Sequence, residues 1–129
     1  MRSQQVANGK ALYLVSCSAC HQPNGQGLEG VAPPLAGTRW PNESEDRLAR
    51  IVLHGLRGPI TVAGKWYNLE MPPMGFFDDQ DIAAILTYIR SVWGKPSRSV
   101  TPGTIRNIRV LNRERSDSWT FEELLDAIR

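Results

Sequence analysis

The sequence predicts an all-α fold, with helices gathered around one site, a small β-hairpin and a short helical C-terminal extension. Three observations predict it. Apolar residues recur at helical spacing behind recognisable caps along most of the chain. A strand-like pattern broken by a turn occurs only around Ile60–Tyr67. A Cys-x-x-Cys-His run, Cys17-Ser18-Ala19-Cys20-His21, comes directly after the first helical stretch.

The first helix is predicted over Val6–Ser16, with Val6, Leu12, Leu14 and Val15 as its apolar positions. Gly9 and Tyr13 lie four apart on one face. Glycine inside a helix costs about 1 kcal/mol relative to alanine, so Gly9 implies a packing reason such as a close helix crossing. Asn24-Gly25-Gln26-Gly27 and Glu29-Gly30 read as loop, and Ala32-Pro33-Pro34-Leu35-Ala36-Gly37 as a stiff extended segment. Asn42, with Glu45 three residues on, matches a capping box for a second helix lined by Leu48, Ile51, Val52 and Leu56 and stopped at Gly55. Ile60-Thr61-Val62 and Lys65-Trp66-Tyr67 flank Ala63-Gly64 as a hairpin, although alanine is unfavourable at a positive-φ turn position.

Asp78 caps the clearest helix, whose stripe is Ile82, Ile85, Leu86, Ile89 and Val92, ended by Gly94 and Pro96. Beyond it, Thr101-Pro102 opens a helix carrying Ile105, Ile108 and Leu111. Thr120 with Glu123 forms a capping box before Phe121, Leu124, Leu125 and Ile128. The expected organisation is a main domain over residues 1–96 and a helical extension over 97–129, packed on that domain or on a parent protein.

The 129 residues carry a net charge of +2 with 41% apolar content, which suits one domain with a small appendage. Charge so close to neutral argues against nucleic acid as a partner. No stretch approaches the roughly 20 apolar residues of a membrane span. Residues 1–5 contain no apolar h-region, so no signal peptide is expected in this sequence.

Cys17-Ser18-Ala19-Cys20-His21 is the c-type haem attachment sequence. Two thiols add to the two porphyrin vinyl groups, and two intervening residues on a helical turn place both sulfurs along one macrocycle edge. The adjacent imidazole then lies under the iron. A thioredoxin-like dithiol needs a preceding strand, and the segment before Cys17 reads as helix. A structural zinc site needs four ligands, and the chain has only two cysteines and two histidines.

The other axial position of an electron carrier is usually closed, and a soft thioether suits ferrous iron. Met71 and Met74 are the candidates, within Glu70-Met71-Pro72-Pro73-Met74-Gly75. Pro72 holds Met71 extended and stiffens the residues after it, which favours Met71, with Met74 as the alternative and ordinary core filler the other role for either. His54 is a third candidate, but at a helix C-terminus a capping role on terminal carbonyls, or a packing role, suits it better.

Together these residues resemble a class I (mitochondrial-type) cytochrome c over about residues 5–95. The resemblance implies that family's fold, with helices around one covalently bound haem c. It implies that Gly9 and Tyr13 cross Ile85 and Tyr88, and that the Pro33 carbonyl, two residues before Leu35, accepts a hydrogen bond from the proximal imidazole. The segments Ile51–Leu56, Gly58–Val62, Met71–Gly75 and Ala83–Arg90 are similar to cytochrome c domains that accompany, or are fused to, bacterial periplasmic quinoprotein alcohol and sugar dehydrogenases. The tail from Val100 to Thr120 resembles what often follows such domains. Haem attachment in such proteins takes place outside the cytoplasmic membrane, which implies a periplasmic or similar location and an export signal not in this sequence.

The expected function is one-electron transfer, not catalysis, with iron cycling between two redox states and redox proteins as partners: a dehydrogenase donor and an oxidase or other cytochrome acceptor. The haem ligands are His21 and Met71, with Cys17 and Cys20 as the attachment residues. Val31, Leu35, Leu48, Val52, Trp66, Leu86 and Ile89 are candidates for the apolar shell. Arg39, Trp40, Trp66 and Tyr67 are candidate donors to the haem propionates. Alternatives are the haem domain of a larger fused dehydrogenase, a haem sensor or peroxidase with a labile distal ligand, and a non-redox role with the tail as an interaction module.

Overall fold

The computed structural model describes residues 2–68, 70–95 and 99–127. Helix α1 (Arg2–Val15) begins earlier than the predicted Val6. Its first turn is polar and so carries no periodic signal, but Gln5 Nε2 donates to the Val100 carbonyl (2.8 Å), docking that turn on the extension. Gly9 and Tyr13 are the buried residues of α1, whereas Leu14 and Val15 face solvent. A one-turn helix α2 (Ser18–His21) comes next and carries the second cysteine and the histidine.

After the loop, a 3₁₀ turn (Trp40–Asn42) leads into α3 (Glu45–His54). The α3 cap is Ser44, which accepts from Arg47 N (3.1 Å), and not the predicted Asn42–Glu45 pair. Asn42 is engaged elsewhere: its Oδ1 accepts from Lys95 N (2.6 Å), so its side chain fastens the end of the next long helix. Gly55 ends α3 as predicted, at φ 84°. A Cβ there would run into the Met71 carbonyl oxygen and crowd Pro73 N at 3.1 Å, so this glycine lets the residue 71–73 backbone lie on the helix end.

Strands β1 (Ile60–Val62) and β2 (Lys65–Tyr67) form the predicted hairpin, pairing Ile60 with Tyr67, Thr61 with Trp66 and Val62 with Lys65. Ala63 (φ 51°) and Gly64 (φ 81°) make the two-residue turn, so Ala63 does take the left-handed conformation, at a cost of about 1 kcal/mol. Helix α4 (Asp79–Trp93) is capped by Asp78, whose Oδ1 accepts from Asp81 N (2.8 Å). Ile82, Ile85, Leu86 and Ile89 are buried, each such side chain stabilising the fold by about 1.5–3 kcal/mol, while Val92 is exposed. Pro96, its expected terminator, lies outside the described residues.

Helices α1 and α4 cross at Gly9. A Cβ on Gly9 would strike the Ala84 carbonyl and approach Tyr88 Cβ at 2.8 Å, which is the close crossing that the residue implied. Tyr13 packs on Tyr88 (ring centroids 5.6 Å) and on Trp93 (5.3 Å).

The extension contributes α5 (Pro102–Leu111) and α6 (Phe121–Ala127). Thr101 caps α5, and Thr120 and Glu123 make a reciprocal capping box, with Glu123 N to Thr120 Oγ1 at 3.2 Å and Thr120 N to Glu123 Oε1 at 2.9 Å. Ile105, Ile108 and Leu124 are buried, but the expected core positions Leu111 and Leu125 are exposed. Ile128 and the 96/97 boundary lie outside the described residues. Val100, Ile105, Ile108, Trp119 and Leu124 belong to the same hydrophobic cluster as Tyr13, Leu48 and Ile85, so the extension shares the main core.

Candidate functional site

The attachment run sits at the junction of α1 and the loop. Cys17 N-caps the α2 turn and Cys20 and His21 lie within it, so all three side chains are fixed by one short helical turn. Cys17 is half-buried and Cys20 exposed, and the two do not pair with each other. Burial pushes the Cys17 thiol pKa up, opposed by a contact with the Ser16 hydroxyl at 3.5 Å. Tyr13 Oη donates to the Gln22 carbonyl (2.7 Å) and pins the residue after His21, which has a positive φ of 70°.

His21 Nδ1 lies 2.8 Å from the Pro33 carbonyl oxygen. A carbonyl only accepts, so Nδ1 carries the proton and Nε2 of the neutral ring holds the lone pair. Burial lowers the His21 pKa, with the Pro33 bond acting in the opposite direction, so the neutral ring that a metal ligand requires is favoured. Two cysteine side chains beside one oriented imidazole on a single turn match the donor set of a covalently held haem.

The Met71 loop lies against the C-terminal end of α3. Leu56 and Met71 exchange two backbone hydrogen bonds (3.1 and 2.7 Å), and Met74 N donates to the Val52 carbonyl (2.7 Å). Met71 and Met74 are both half-buried against the core. His54 does not cap its own helix as expected. Its Nε2 donates to the Arg115 carbonyl (3.0 Å), which ties the end of α3 to the extension.

The remaining candidates are dispersed. Leu48, Val52, Leu86, Ile89 and Tyr67 are buried and Leu35 is half-buried, whereas Trp66 (66% exposed) and Val31 (45%) face outward in the protein. Arg39 is exposed beside Glu43 (3.8 Å), and Trp40 is buried edge-on to Phe121 of α6 (6.2 Å). Sequence reasoning gave no role to Arg109, Ser118, Trp119 or Arg115, all of which contact the Met71 loop or α3. No local pattern marks them, because their partners lie far away in the chain.

A c-type haem site on an all-α scaffold is the class of structure these features define. Residues 6–93 match the cytochrome c family, and the chain belongs to that family. It is 35% identical over 115 residues to cytochrome c-552 of Thermus thermophilus, a match covering 84% of this chain and 87% of that protein. It is 32% identical over 107 residues to the gluconate 2-dehydrogenase cytochrome c subunit of Pantoea cypripedii, covering 78% of this chain and 24% of that one. It is also 31% identical over 104 residues to a cbb3-type cytochrome c oxidase subunit CcoP of Helicobacter pylori, covering 81% and 33% respectively. The family binds covalently attached haem c and carries electrons; the chain is an electron carrier and not an enzyme. Among the described residues no helix is long and apolar enough to cross a membrane.

Proposed function

We propose that this chain is a monohaem cytochrome whose iron, ligated by His21 and Met71, carries single electrons from a dehydrogenase to an oxidase or another cytochrome. The location is the periplasm or another compartment outside the cytoplasmic membrane. When bound, the haem supplies reversible one-electron chemistry. The observation that carries the assignment is the His21–Pro33 hydrogen bond (2.8 Å), which leaves Nε2 as the lone-pair nitrogen on the same turn as Cys17 and Cys20. These two thiols hold the porphyrin edge, and Pro33 fixes the plane and tautomer of the imidazole.

Met71 is favoured over Met74 because its backbone is paired in both directions with Leu56 and is followed by two prolines, so little chain entropy opposes a bond to its sulfur. Leu35, Leu48, Val52, Leu86 and Ile89 keep water from the haem faces, and Arg39, Trp40, Trp66 and Tyr67 remain the donors proposed for the propionates. Residues 1–96 form the haem-holding unit and 97–129 an extension packed on it. Curated relatives named as dehydrogenase and oxidase cytochrome subunits support the choice of redox partners.

Replacing each methionine tests the ligand set. Met71→Ala is expected to abolish the sulfur-to-iron charge-transfer band of the ferric protein and lower the reduction potential, while Met74→Ala keeps the band. Loss of the band in Met74→Ala alone would overturn the assignment.

A further inference from the structure

The loop carrying Met71 has no regular secondary structure between Glu70 and Asp78, yet both its ends are fastened by side chains of the extension. At the far end, Arg109 on α5 spreads its guanidinium over three acceptors. Its Nη1 donates to the Gly75 carbonyl (3.0 Å), Nη2 to the Phe77 carbonyl (2.9 Å), and Nε to Asp79 Oδ1 (2.9 Å) in the first turn of α4. At the near end, the Ser118 hydroxyl donates to Glu70 Oε2 (2.7 Å), one residue before Met71. Between them the Trp119 backbone bonds the two neighbours of Leu56, the residue that pairs with Met71: Trp119 N donates to the Gly55 carbonyl (2.9 Å) and Arg57 N to the Trp119 carbonyl (2.8 Å).

A thioether is a weak, neutral ligand, so its occupancy depends on how often the loop around it opens. Pro72 and Pro73 make the stretch from Met71 to Gly75 stiff, and a stiff segment fixed at both ends has few other positions for the sulfur in its middle. Charge-assisted bonds to two carbonyls and a carboxylate suit a forked, planar guanidinium, which can engage all three at once.

We infer that Arg109 is a positioning residue for the axial methionine. By holding Gly75, Phe77 and Asp79 in register, it keeps the Met71 loop closed, which makes the extension part of the ligand-holding apparatus. The inference rests on Met71 being the ligand, as proposed above.

The test uses the full-length ferric holoprotein, with free imidazole as the competing ligand and circular dichroism to establish that the fold is intact. Arg109→Met is expected to raise the limiting rate of imidazole binding at least about tenfold, weaken the charge-transfer band, and speed hydrogen exchange at the Met74 and Phe77 amides. Arg109→Lys, which retains one charged contact, should fall between this variant and wild type. A wild-type limiting rate in Arg109→Met would overturn the inference. If that variant does not fold, Arg109→Lys decides, and an unchanged rate there overturns it equally. Met71→Ala measured alongside separates the two claims: if it keeps the charge-transfer band, the ligand assignment fails, whatever Arg109 does.

Discussion

The two sides of the proposed haem site, the Cys17–His21 turn and the Met71 loop, are built in different ways. On the cysteine side, the ties are short in sequence. His21 reaches Pro33 across 12 residues, Tyr13 reaches Gln22 across 9, and Gly27 N bonds the His21 carbonyl at 2.9 Å. On the methionine side, besides the backbone pairing of Met71 with Leu56 and of Met74 with Val52, there are long ties: Arg109 to Gly75 spans 34 residues, Ser118 to Glu70 spans 48, and His54 to Arg115 spans 61. Short loops close with little entropic cost, so the proximal turn has partners at hand early in folding. The Met71 loop has partners in Val52 and Leu56 beforehand, but its ties to Arg109 and Ser118 form only when the chain has folded on through residue 118. The attachment cysteines therefore belong to the locally encoded side, and the proposed methionine ligand to the side that also depends on the extension.

Two substitutions in the extension test that contrast. The larger effect is expected from Trp119→Ala. Trp119 is 6% exposed, stacks under the Arg115 guanidinium at 3.7 Å and stands edge-on to His54 at 6.5 Å. Its truncation should cost about 3 kcal/mol in urea unfolding and weaken the charge-transfer band, while the haem stays covalently bound. A loss below about 1 kcal/mol would show that the extension is only loosely coupled to the distal side.

The smaller effect depends on pH. The Arg115 guanidinium holds the Glu123 carboxyl well below its ordinary value, from 4.5 to about 2, with the Thr120 amide assisting. A depressed carboxyl pKa stabilises the fold at pH values above the unfolded one, and that contribution fades as pH falls through the folded one. Glu123→Gln should therefore lower the urea midpoint at pH 6, with the difference from wild type shrinking below pH 4.5 and vanishing near pH 2. A difference that stays constant across this range would locate the effect in the capping box rather than in the ion pair.

Much of the fold was legible because its signals are local. The Ile60–Tyr67 hairpin, the Asp78 cap and the Thr120–Glu123 box all depend on residues within a few positions of one another. The α1–α4 crossing was legible for a different reason: glycine inside a helix implies close packing at Gly9, and the family resemblance supplies the partner helix. The misplaced cap shows where such signals stop. Asn42 and Ser44 are both good caps, and the choice fell to Ser44 because Asn42 is taken by Lys95, 53 residues away. Leu14, Val15, Val92, Leu111 and Leu125 fit the apolar pattern of their helices, but packing on neighbouring helices decides which face of each helix is covered. Arg109 and Ser118 look like ordinary surface residues until the loop they fasten is in place.

The central claim is most directly tested by treating protein matured with haem-attachment machinery with acidified acetone, which extracts haem that is not covalently held. The pigment should remain with the protein in a ratio of one haem per chain, and Cys17→Ser with Cys20→Ser should release it. Wild-type protein that is colourless, or that gives up its colour to the solvent, would contradict the account.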